Sequence, residues 1–63
     1  MLNNNIYNLM MQLTEEHKSL WRIKKDYMKD ASKTKDVKDF WTKVSKEKEN
    51  HIKELAALIK KHM

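Results

Sequence analysis

Glu16, His17, Glu47 and His51 are the residues of this chain best able to do chemistry. Carboxylates and imidazoles hold divalent metals, share protons and form charge-assisted hydrogen bonds. Folded back at about residue 33, the chain brings Glu16 opposite the region of His51 and His17 near residues 49 and 50. Leu20 then lies opposite the region of Glu47, so the four groups fall at roughly one level. Glu47 and His51 stand one helical turn apart and can reach toward one ion. Three readings follow. The layer is a buried hydrogen-bonded network that sets register, with Lys48 reaching in as a countercharge. Or it is a metal site for zinc, iron or manganese built from facing helices. Or it is the hydrated edge of an apolar stripe. No metal or other cofactor is firmly expected.

The elements that position these groups are helices. Among 63 residues there is no Gly, Pro or Cys, and Lys, Glu, Leu and Met are abundant. Glycine and proline interrupt helices, so their absence favours long ones. Without cysteine there is neither a disulfide nor a thiolate zinc site, which fits a reducing, cytoplasmic setting. No long uncharged apolar run or secretory signal is legible.

At about 100° per residue, Leu2, Ile6, Leu9, Met10, Leu13, His17, Leu20, Trp21, Tyr27, Met28 and Ala31 share one broad sector. In the second half Val37, Phe40, Val44, His51, Leu55, Leu58, Ile59 and His62 share another, with Trp41 and Ile52 on its flank. The expected elements are a helix over about residues 4–30, a turn over 31–35 and a helix over 36–62, one domain in all. Asn3, Asn4 or Asn5 would cap the first helix and Ser32 or Thr34 the second, with Asp36 near its positive end. The turn is short, so the helices should run antiparallel.

Each stripe is wider than one neighbour can cover. The fold expected is therefore all-α: an antiparallel two-helix hairpin that dimerises into a four-helix bundle, or assembles further. Its interface would use Ile6, Leu9, Leu13, Leu20, Tyr27, Phe40, Val44, Leu55 and Leu58. The partner is then a second copy, or another helical protein.

The stretch "FWTKVSKEKENHIKEL" resembles the second helix of a ferritin-like, rubrerythrin-type half-bundle, in which an aromatic and a small apolar residue precede Glu-x-x-His. Phe40, Val44 and His51 match that pattern, and Glu16 in "LTEEHKSLW" would supply the first-helix carboxylate, with Tyr27 further along. The resemblance spans roughly residues 13 to 59 and implies a half-bundle whose homodimer restores four helices. It departs where the family places a metal-bridging Glu, because Lys48 stands there and Glu47 is one residue early. A lysine repels a dication and can replace it by pairing with Glu16.

Other functions have less support. Net charge is +5, and Arg22, Lys24, Lys25, Lys29, Lys33 and Lys35 interleave with Trp21 and Tyr27 as in a nucleic-acid surface. Asp26, Asp30 and Asp36 interrupt that patch, so nucleic acid is not the favoured partner. Lys60, Lys61 and His62 suit a helix C-terminus. Met11 is the methionine best placed for an exposed contact. Ser19 and Ser45 lack an activating base, and a carboxylate pair such as Glu16 and Glu47 has no evident pocket, so enzymatic activity is not expected.

Overall fold

The computed structural model describes residues 4–63, and every regular element among them is helical. Leu2, which the sequence places on the first stripe, and Asn3, one of its possible caps, lie with Met1 outside the described residues. Helix α1 (Asn4–Arg22) continues through a π-helical turn (Ile23–Tyr27) into a short helix α2 (Met28–Asp30). Helix α3 (Lys35–His62) follows after four linking residues. Together they form a rod of 49 × 15 × 12 Å. No described helix is long and apolar enough to cross a membrane.

The link is built without glycine. The N–H of Ala31 donates to the Tyr27 carbonyl at 3.0 Å, and that of Thr34 to the Ala31 carbonyl at 3.0 Å. No described residue has positive φ, so the turn requires none of the freedom that only glycine supplies. Thr34 occupies the N-cap position of α3 with an extended backbone, but its hydroxyl makes no capping bond. The Asp36 carboxylate instead accepts the Val37 N–H at 2.9 Å, placing negative charge at the positive end of the helix.

Early residues of α1 meet late residues of α3, and the last residues before the link meet the first after it. Ile6 and Leu9 share a hollow with Leu55 and Leu58, Glu16 touches Lys48, and Tyr27 lies against Trp41 with ring centroids 4.8 Å apart. On the α1 side the packed positions are Ile6, Leu9, Leu13, Glu16, Leu20, Ile23 and Tyr27, all at least half-buried and alternating in steps of three and four. This is the spacing of a coiled-coil seam.

Ile23, absent from the sector read off the sequence, is the most buried side chain at 1% exposed. The reason is the π turn. Ile23, Tyr27 and Ala31 follow one another by fours, which overshoots a turn of about 3.6 residues. Widening that turn, with the Met28 N–H donating to the Ile23 carbonyl, keeps all three against α3.

Helix α3 packs by one edge of the stripe expected, keeping Leu55 and Ile59 and taking in Trp41 and Ile52 from its flank. Its packed positions are Trp41, Ser45, Lys48, Ile52, Leu55 and Ile59, again alternating by fours and threes. Phe40, His51 and Leu58, placed in the apolar sector by the sequence, are exposed. Each stands one residue before a packed position, so the packed line is displaced toward the flank that Trp41 and Ile52 mark. The cause is electrostatic as well as steric. Glu16 lies in the α1 seam, and the displaced line offers it Lys48, whereas the line one residue before it would offer Glu47.

Candidate functional site

Glu16 is the centre of the polar layer. It is 8% exposed, a burial that a carboxylate tolerates only with partners. It has three. Lys48 Nζ lies 3.1 Å from Oε2, and Gln12 Nε2 donates to Oε1 at 3.0 Å. His51 Nδ1 stands 3.8 Å from Oε1, near enough to pair when protonated but longer than a hydrogen bond. Gln12 sits one turn before Glu16 on α1, so helical spacing alone aligns it. Lys48 and His51 reach across from α3. No buried side-chain nitrogen or oxygen among the described residues lacks a partner.

Burial by itself would raise the Glu16 pKa. The hydrogen bonds from Lys48 and Gln12, and the positive charges of Lys48 and His51, outweigh it and hold the carboxyl below its ordinary value of 4.5. Glu16 is therefore a carboxylate at neutral pH, locked by an ammonium.

Of the four sequence candidates, the structure brings Glu16 and His51 together and leaves His17 and Glu47 exposed, His17 on the opposite side of the pair and Glu47 one turn before His51 on α3. His17 follows Glu16 by one residue and so projects about 100° away from it. Glu47 likewise precedes Lys48. Among the described residues no three His, Cys, Asp or Glu side chains converge to hold an ion. The residue that sequence reading kept outside the candidate set is Lys48. Its signal was present, since a lysine replaces the metal-bridging Glu of the resembling pattern and pairs with Glu16 as that substitution implies.

Around this layer the helix pair has two distinct sides. On one, Lys24 Nζ meets Glu49 Oε1 at 3.0 Å, and both residues stand one position after packed ones. Tyr7, Met10, His17 and Trp21 also stand one position after packed residues of α1 and share this side, exposed; Lys25 Nζ sits 4.5 Å from the Trp21 ring centre. On the other side Gln12, Glu16, His51, Glu54 and Leu58 line an open hollow of about 310 Å³. Phe40 and Val44 stand one position before packed residues of α3 and belong to this side, and Val37 lies in line with them one turn earlier. The basic patch is thus partly spent inside the chain, with Lys24 and Lys25 already engaged.

No family model matches this chain, and neither a curated protein nor a solved structure matches it.

Proposed function

We propose that the chain is an antiparallel helical hairpin of ferritin-like half-bundle type that works as a self-associating assembly module, with a second copy as its principal partner. One observation carries this reading: the chain leaves too much apolar surface in water. Phe40 is 55% exposed, Leu58 43% and Val37 41% along one side of α3, and Trp21 and Tyr7 are exposed on the other side of the pair, while the buried apolar side chains among the described residues are Ile23, Ala31 and Ile59. The accessible surface is 5323 Å², against about 4,300 Å² for a compact monomer of the same mass. The excess, roughly 1,000 Å² per chain, is of the size that one partner buries in a standard interface, about 800 Å².

The Glu16–Lys48 pair serves this role as a register lock. A buried carboxylate must meet its ammonium, so slipping either helix by a turn strands both charges. The metal-binding alternative has no comparable support, because Lys48 occupies the level at which an ion would sit and brings the charge an ion would bring. Sedimentation tests the proposal: a dimer or larger species is expected at micromolar concentration, and a folded monomer throughout would overturn it.

A further inference from the structure

We infer that α3 carries a second seam for a second copy of the chain, packed antiparallel about a two-fold axis beside Asn50, so that Glu47 of each copy meets the partner's His51. The inference rests on the self-association proposed above and specifies its surface and register.

The seam is written in the spacing. Val37, Phe40, Val44, Glu47, His51, Glu54, Leu58 and Lys61 alternate by threes and fours along the whole of α3. From Phe40 to Leu58 each stands one residue before a position that packs on α1, and Val37 and Lys61 extend the line at its two ends, so it forms a second face beside the first. Phe40, Val37 and Leu58 on it are exposed and large. The polar members, Glu47, His51 and Glu54, fall in the middle and Lys61 at the end. This is the oddity of the sequence, acid and imidazole in the centre of an apolar line.

Only one orientation gives every member a suitable neighbour. In a parallel pair each residue faces its own copy, so Glu47, Glu54 and Lys61 would each meet a like charge, which is unfavourable. Antiparallel, with the seam centred at residue 49, Phe40 packs on the partner's Leu58 and Glu47 on the partner's His51. Val44 and Val37 take the methylenes of the partner's Glu54 and the partner's Lys61, whose charged ends reach water. Sliding by one heptad either way leaves Phe40 or Leu58 without a counterpart. His51 turns Nδ1 toward Glu16 of its own chain, which leaves Nε2 for the partner's carboxylate. The imidazole then links the internal lock to the interface. Tyr7, Met10 and Trp21 lie on the opposite side, next to the Lys24–Glu49 bridge, and stay outside this contact.

The chain has no cysteine, so single cysteines report the register directly. Asn50 is exposed and flanks the seam. In the proposed pairing Asn50 lies within about 3 Å, along the axis, of its own copy, whereas the two Lys61 are about 36 Å apart at the helical rise. Treated with a short bis-maleimide, Asn50→Cys should give covalent dimer at least tenfold more readily than Lys61→Cys. Helical content by circular dichroism confirms that each variant folds, and sedimentation of the unmodified chain runs alongside. Cross-linking of Lys61→Cys as readily as Asn50→Cys, or more readily, is the outcome of parallel pairing and would refute the inference. So would failure of both variants to cross-link while the parent sediments as a dimer, which would leave self-association standing through another face. A folded monomeric parent would remove both.

Discussion

Replacing Lys48 with methionine isolates the Glu16 carboxylate inside the helix pair, and the size of the penalty follows from the geometry. At 3.1 Å the two charges attract with a gross energy of about 5 kcal/mol at an effective dielectric near 20. Most of this is offset by desolvation, since the side chains are only 11% and 22% exposed. What the single substitution exposes is that offset, now uncompensated. Stranding a fully buried charge costs about 3–5 kcal/mol. Glu16 keeps Gln12 and His51 as partners, so Lys48→Met should cost about 2–3 kcal/mol. For a chain of this size that lowers Tm by roughly 10–20 °C. Glu16→Met should cost less, about 1 kcal/mol, because the lysine can swing its ammonium to water. The double variant, with two methionines in contact, should lie within about 1 kcal/mol of the parent or above it. The cycle is measured by urea unfolding followed by circular dichroism, at one fixed chain concentration because association adds to apparent stability. A single Lys48→Met variant as stable as the parent, or additive singles, would refute the idea that this pair locks the register.

Two further outcomes are expected. Glu16 has a folded pKa below its ordinary 4.5, so its stabilisation is complete above pH 4.5 and is lost as pH falls through the folded value. Unfolding midpoints of the parent should therefore drop below pH 4.5, and Glu16→Gln should flatten that part of the profile; an unchanged profile would show that the group contributes nothing. Ile23→Ala empties the tightest position of the core and should cost about 2–4 kcal/mol, several times more than Met11→Ala at an exposed position outside both seams, as read by denaturant titration of both variants.

The helical nature of the chain and its two long helices were legible because nothing in the sequence can stop a helix sharply and the apolar residues recur at helical spacing. The Glu16–Lys48 contact was legible too, since a lysine in place of a bridging carboxylate needs an acid opposite. Two features were not. Ile23 was hidden because, at about 100° per residue, a seam that repeats every seven residues drifts by about 20° per heptad, and by Ile23 it has left the sector drawn from the earlier residues. The facing of α3 was hidden because that helix carries two adjacent seams of similar apolar content, Trp41–Ile52–Ile59 and Phe40–Val44–Leu58. Periodicity sees both as one broad stripe. Which one packs on α1 depends on the charge that Glu16 meets across the pair, a contact between residues thirty-two apart.

Sedimentation equilibrium of the untagged chain over a hundredfold range of concentration tests the central claim most directly. Self-association predicts a mass of at least twice the 7.7 kDa chain at the upper end, falling toward one chain on dilution. A single folded species of 7.7 kDa at every concentration would contradict it.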